Sequence, residues 1–238
     1  MINLVWKRNE SRSRPFIFWN RAEIIPWFGA DDFKRFKLLQ NRLVETVTPL
    51  PLRKKKGSSS LLRYLSVFLV AEIGELINEI PSLKRWKFEL TIGNHVGIHE
   101  EIVDVLHFML NLAIVLDYQE DDFNLASSLW SSRRAVGKKI WGINYTTNDG
   151  EDLIFLIFEK MISLVIGFLT GFTSSSSQTR LNFSLLWALF FLLCDILEVQ
   201  LPLLSKMYVV KWNFNSLRAL IRLRRYKSKQ IFMSKKEQ

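Results

Sequence analysis

The chain has few of the residues that build covalently cross-linked or zinc-stabilised folds. Its 238 residues include one cysteine, Cys194, and only three histidines. A single cysteine excludes an internal disulfide framework and is typical of a reducing compartment, so we expect a cytoplasmic protein. Zinc sites use cysteine and histidine ligands in paired spacings, and the sequence has none. The small disulfide-rich and zinc-finger classes are therefore excluded.

Turn-forming residues are also scarce, with 10 glycines and 6 prolines, and few stretches alternate with the period-two pattern of strands. This predicts an all-α fold. Asp31 is the expected cap of the first helix, Pro81 is expected to stop the second, and the serine-rich residues 173–180 are an expected loop. Helices are predicted at 31–47, 61–80, 98–118, 122–136, 152–169, 184–210 and 213–225.

No uninterrupted apolar run reaches the ~20 residues that a membrane-spanning helix needs. The nearest stretch is 184–204, where Asp195 and Glu198 interrupt the apolar sequence. We therefore expect this stretch to be a buried core helix, and we expect no membrane span.

Positive charge is in excess, with a formal net charge of +10 and a pI near 9.8. Much of it lies in residues 53–56, in residues 222–229 and in the first 21 residues. Such runs are more typical of solvated segments than of binding sites, so we expect no stable nucleic-acid partner. The predicted organisation is a basic, aromatic N-terminal extension (1–30), an all-α domain (31–225) and a basic C-terminal tail (226–238).

The helix predicted at 98–118 starts with three carboxylates, although most of its other residues are apolar. On a helical wheel Glu100, Asp104, His107 and Asn111 fall within about 60° of one another, with Glu101 at the edge of this stripe. Because apolar residues cover most of the wheel, this polar stripe is expected to face a cavity or other polar groups.

A second acidic face lies on the helix predicted at 61–80. Glu72, Glu75 and Glu79 share one side, and Leu65 and Phe68 extend it towards the N-terminus, which indicates partial burial. Two such helices facing one another would form a cage of carboxylate oxygens, which are the ligands that Mg²⁺ prefers. Ordinary surface glutamates on two amphipathic helices remain the alternative.

The two segments together are more specific than either alone. "AEIGELINEIPSLKRWK" followed by "EEIVDVLHF" resembles the all-α NTP pyrophosphohydrolases of the MazG type, and within them the dimeric dUTPases of trypanosomatids, some bacteria and phages. The family pattern is E-x-x-E, a spacer, then E-x-x-D. Here it is matched by Glu72, Glu75, Glu101 and Asp104, and the resemblance covers about residues 36–218.

This resemblance implies a helical bundle that forms a homodimer and hydrolyses dUTP and dUDP to dUMP, releasing pyrophosphate or phosphate. It implies that the four acidic residues bind Mg²⁺ and that a glutamate activates the attacking water. Glu72 is the expected base, Glu75 is grouped with it as catalytic, and Glu101 and Asp104 are expected chiefly as ligands.

The same resemblance suggests substrate-binding residues. In "LLQNRL" Gln40 matches a base-reading glutamine, while Val44 replaces the family's asparagine; near the C-terminus Trp212 replaces another asparagine. These two departures keep open a MazG-like pyrophosphohydrolase of another nucleotide, such as dCTP. An inactive relative that binds through its basic tails is a further alternative. The expected substrate-binding residues are Gln40, Lys84, Trp86, Lys87, His107, Lys211, Asn215 and Arg218.

Overall fold

The structure is a computed structural model that describes residues 29–47, 59–80, 83, 95–131, 150–170, 176–199 and 201–234. Within these ranges the chain is helical and forms no strand, which confirms the predicted all-α fold. The described residues form α1 (Ala30–Val47), α2 (Ser59–Glu79), α3 (His95–Val115), α4 (Glu120–Ser131), α5 (Gly150–Thr170), α6 (Ser176–Ile196) and α7 (Leu201–Ser234).

The C-terminal third differs from the prediction. The predicted helix 184–210 is interrupted at residues 197–199, where Glu198 adopts a positive φ of 55°. Pro202 explains the interruption, because its ring would clash with the carbonyl of residue 198 in a continuous helix. Beyond this break α7 continues to Ser234 without the predicted second start at 213, and it extends into the segment that we interpreted as a tail.

The predicted start of α6 and the predicted cap of α1 were also wrong. Residues 176–180, which we expected in a loop, form the first turn of α6, where serine and threonine are well tolerated. Asp31 does not cap α1, since the helix begins at Ala30. Instead the backbone N–H of Gly29 donates to the Asp32 carboxylate at 3.4 Å, as in one half of a capping box.

The core is built around α6, whose residues 183–194 are all buried. Its Trp187 contacts the rings of Phe33, Phe123 and Phe183 edge-on, with centroids 5.4–6.2 Å apart. Among the described residues, two helical segments are long and apolar enough to cross a membrane by length and composition, Leu153–Thr170 and Ser177–Ile196. The second segment is 67% buried inside the protein, as the predicted core helix requires. The buried core helices of soluble proteins can have the same length and apolar composition as a membrane span.

α3 is the element that positions the site. It packs along α2 on one side, and on the other it contacts α1 and α7, which also contact each other. Phe68 of α2 stacks on Phe108 of α3 with centroids 5.7 Å apart, while Glu72 lies beside Asp104, so α2 and α3 run antiparallel. This arrangement turns the acidic faces of the two helices towards each other.

Candidate metal centre

Three carboxylates meet between α2 and α3. Glu72, Glu101 and Asp104 each offer an oxygen, and these oxygens lie within 4.8 Å of one another. Glu101 and Asp104 are three residues apart, so they project from the same side of α3. The predicted carboxylate cage is therefore present for these three residues.

The fourth predicted ligand, Glu75, lies outside this group and is exposed. It is nevertheless close enough for its charge to raise the pKa values of Glu72 and Glu101. The helical-wheel prediction was wrong for Glu100, which is exposed, whereas Glu101 is half-buried in the cluster. The reason is that α2 packs against the edge of the polar stripe rather than against its centre.

The cluster is short of positive charge. Burial, followed by the charges of Asp104 and Glu75, raises the pKa of Glu72 to about 7. The pKa of Glu101 is raised by the same kinds of cause, burial first. Its Oε2 is buried and has no hydrogen-bond partner among the described residues. Crowded, partly desolvated carboxylates with an unused oxygen are the donor set that a hard divalent cation fits.

Lys211 of α7 also reaches this cluster. Its Nζ lies 2.8 Å from Oδ2 of Asp104, and both side chains are partly buried. The positive charge of Lys211 lowers the pKa values of Glu72 and Glu101 but does not offset the effect of burial. One predicted phosphate-binding residue is thus brought directly to the carboxylates.

One turn further along α3 lies a buried polar network. The Gln40 side chain of α1 is 3% exposed, and its Oε1 lies 2.7 Å from Nδ1 of His107. Tyr208 of α7 donates its hydroxyl proton to the same oxygen at 2.9 Å, and Gln40 Nε2 donates to Asn111 Oδ1 at 2.8 Å. The network therefore joins α1, α3 and α7 beside the acidic cluster.

His107 is uncharged in this network. Burial, followed by the charge of Lys211, lowers its pKa to about 3. Its ring packs against the tilted ring of Tyr208 with centroids 4.6 Å apart, and its Nε2 is buried without a partner among the described residues. Because Nδ1 donates to the Gln40 oxygen, the neutral imidazole can accept one hydrogen bond at Nε2 but does not carry positive charge to a phosphate.

A family model described as dUTPase matches residues 32–222 of the chain. No curated protein and no solved structure gives a significant match.

The chain belongs to the dimeric, all-α dUTPase family.

The matched region contains all the acidic residues of the cluster. Proteins of this family generally use a divalent metal. Family membership also assigns the protein to the general class of nucleotide pyrophosphohydrolases.

The two departures from the dUTPase family pattern have structural consequences. Val44 is buried, at 7% exposure, and packs in the hydrophobic core. Trp212 donates its indole N–H to the carbonyl of Leu39 at 2.7 Å, so it ties α7 to α1. Both residues therefore serve the packing of the bundle.

Of the remaining predicted substrate-binding residues, two lie further along α7 and three lie outside the described residues. Asn215 is half-buried, and Arg218 is exposed, with its guanidinium 5.4 Å from the centroid of the Phe214 ring. Lys84, Trp86 and Lys87 lie outside the described residues.

Sequence reasoning missed Tyr208. Its fully buried ring also packs on Phe36, with centroids 4.5 Å apart. The available signal was its position three residues before Lys211, which places both side chains on neighbouring turns of one helix face.

Proposed function

We propose that the protein is a Mg²⁺-dependent hydrolase that converts dUTP to dUMP and pyrophosphate, and dUDP to dUMP and phosphate. The observation that carries this proposal is the meeting of Glu72, Glu101 and Asp104 within 4.8 Å, inside the region matched by the dUTPase family. Family membership supports dUTP hydrolysis, and the carboxylates would supply the site for it.

Glu72, Glu101 and Asp104 would hold the metal, and Glu75 would join them by turning its exposed side chain inward. Bound Mg²⁺ would neutralise phosphate charge and make water more acidic. The apolar surroundings of α3 fix the carboxylates, and the cost of their desolvation is offset when a cation binds.

Glu72 is our choice of proton acceptor, with Glu75 as its catalytic neighbour. Glu72 is half-buried at the meeting point of α2 and α3, and a carboxylate held beside the metal would accept a proton from a metal-bound water. Lys211 would exchange its contact with Asp104 for a phosphate oxygen once metal occupies the cluster. Asn215 and Arg218 follow Lys211 on α7 and would bind the outer phosphates.

Gln40 would contact the base, since its network lies one turn of α3 away from the carboxylates. A second candidate function is hydrolysis of another nucleotide, such as dCTP. Val44 favours this candidate, because a buried valine cannot make the hydrogen bond of the family's asparagine.

We further propose that the protein is a cytoplasmic homodimer. α7 carries an outward stripe of exposed apolar side chains, and exposed stripes of this kind mark interfaces. The stripe consists of Leu203, Val210, Phe214, Leu217 and Ile221. Its members recur at spacings of three, four and seven residues, as in the seam between two packed helices.

The test is release of pyrophosphate or phosphate from a nucleotide panel: dUTP, dUDP, dCTP, dTTP and UTP, each with Mg²⁺ and with EDTA. We expect metal-dependent turnover with dUTP and dUDP preferred. Preference for another nucleotide would move the assignment to the wider pyrophosphohydrolase group. Absence of turnover on every substrate would overturn the enzyme and favour an inactive binding relative.

A further inference from the structure

The amide of Gln40 is almost fully used inside the protein. Its oxygen lies within hydrogen-bond distance of His107 Nδ1, at 2.7 Å, and of the Tyr208 hydroxyl, at 2.9 Å. An amide oxygen has two lone pairs, so both of its acceptor positions are occupied. One N–H donates to Asn111 at 2.8 Å. No described residue is recorded as accepting from the second N–H, so this group remains for a ligand.

A rotation of the amide by 180° would exchange its oxygen and nitrogen, and most of the network could adapt. The neutral imidazole of His107 can present either a donor or an acceptor at Nδ1, according to its tautomer. Asn111 can rotate its own amide in the same way. Neither residue therefore fixes the orientation of Gln40.

Tyr208 can distinguish the two orientations. Its hydroxyl donates to Gln40 Oε1, with the two oxygens 2.9 Å apart. After rotation the hydroxyl would have to accept from Gln40 and donate to its remaining neighbour, the carbonyl of Phe36, at 3.3 Å. Hydrogen bonds from hydroxyls are normally 2.5–3.0 Å long. The rotated state therefore has a weaker hydrogen bond in a fully buried position.

We propose that Tyr208 determines base specificity by holding Gln40 with an N–H, rather than a carbonyl, towards the nucleotide base. This inference rests on the proposed function, in which Gln40 contacts the base. An N–H matches the O4 acceptor of uracil, whereas cytosine presents an N4 amine, a donor, at the same place. Tyr208 itself is a positioning residue and does not touch the base.

The test is the ratio of kcat/KM for dUTP to kcat/KM for dCTP in the Tyr208→Phe variant. Phenylalanine keeps the ring contacts with Phe36 and His107 and removes only the hydroxyl. We expect the ratio to fall about tenfold or more, because the rotated amide is no longer disfavoured. Simple destabilisation would lower both kcat/KM values together and leave their ratio unchanged.

Tyr118→Phe is the matched control. Tyr118 is equally buried, and its hydroxyl bonds to Ser184 and to the carbonyl of Asp122, away from Gln40. Its dUTP/dCTP ratio should equal that of the wild type. A wild type that prefers dUTP and a Tyr208→Phe variant with the same ratio would overturn the role of Tyr208 alone. A wild type with no preference for dUTP would overturn the proposed substrate and this inference with it.

A second variant covers the case in which Tyr208→Phe fails to fold. Gln40→Glu keeps an acceptor for His107 and Tyr208 but has no N–H for the base. We expect a folded protein, checked by circular dichroism, whose kcat/KM for dUTP falls more than that for dCTP. Unchanged kcat/KM for dUTP in this variant would overturn the inference.

Discussion

Glu72 shows at the scale of one residue why the cluster needs a cation. Its carboxylate is desolvated between two helices and faces the charges of Asp104, Glu75 and Glu101, while Lys211 supplies one compensating charge. Ionising Glu72 is therefore unfavourable in the metal-free folded protein, and binding of a divalent cation would reverse this.

The first prediction concerns the pH dependence of stability. The folded protein raises the pKa of Glu72 from 4.5 to about 7, so the folded state binds this proton more tightly than the unfolded state. The stabilisation is fully present below pH 4.5 and is lost as pH rises through about 7. In Glu72→Gln, which cannot ionise, Tm measured in EDTA should rise relative to wild type between pH 5 and pH 8.

Glu100→Gln serves as the control, because Glu100 is exposed and outside the cluster. Its Tm should follow that of the wild type across the same range. Saturating Mg²⁺ should abolish the advantage of Glu72→Gln at pH 8. If the Tm difference between Glu72→Gln and wild type does not change with pH, our account of the cluster electrostatics is wrong.

At the scale of the helices, α3 and α6 end in the same way. Each is closed by a residue with positive φ, Asp117 at 52° and Glu198 at 55°. The following N–H then bonds back to the last turn, from Tyr118 to Ala113 at 2.9 Å and from Val199 to Cys194 at 2.8 Å. This is the Schellman arrangement, which usually uses glycine.

The second prediction follows from the cost of this conformation for glutamate. Glu198→Gly should stabilise the protein by about 1 kcal/mol, because glycine adopts positive φ without strain. Urea unfolding measures the change. Asp117→Gly is the comparison, and we expect a smaller gain from it. Aspartate tolerates positive φ better than glutamate does, and the variant would lose the 2.7 Å hydrogen bond from Gln119 to the Asp117 carboxylate. A gain at Asp117 that equals or exceeds the gain at Glu198 would contradict this account.

How far the sequence predicts the elements depends on the kind of signal. The spacing of the apolar residues Phe33, Phe36 and Val44 predicts α1, because the period of a helix places all three on one buried face. The break at 197–199 was missed because apolar residues continue on both sides of it. The bond between Tyr208 and Gln40 joins residues 168 positions apart, so no local pattern predicts it. The same limit applies to Glu100 and Glu101, whose exposure depends on where α2 packs.

At the scale of the whole molecule, α7 presents two apolar sides. Leu204, Tyr208 and Ala219 face the core, while the exposed stripe that includes Val210 and Phe214 faces outward. There is no acidic residue in the sequence between Glu198 and Glu237. A dimer formed by two copies of α7 would therefore bring like charges together at its edges.

The third prediction tests this surface. Val210→Lys should shift the protein from two chains to one 28.0 kDa chain, because it places a charge in the middle of the stripe. Val96→Lys is the control, since Val96 on α3 is as exposed as Val210, at 66% against 68%. Sedimentation equilibrium measures the mass. The wild-type dimer should also tighten with added salt, as screening reduces the repulsion.

A dimer that survives Val210→Lys, or one that is broken by Val96→Lys alone, would show that another face is used.

The most direct test of the central claim compares two neighbouring glutamates. Glu101 lies in the three-carboxylate cluster, and Glu100 is exposed beside it. Glu101→Gln and Glu100→Gln are therefore nearly identical chemical changes, one inside the proposed metal centre and one outside it. We expect Glu101→Gln to lower kcat/KM for dUTP with Mg²⁺ by about a hundredfold or more, since loss of outer-shell partners alone costs ~10–100-fold. Glu100→Gln should retain wild-type kcat/KM. Equal kcat/KM values for the two variants would contradict a metal centre between α2 and α3.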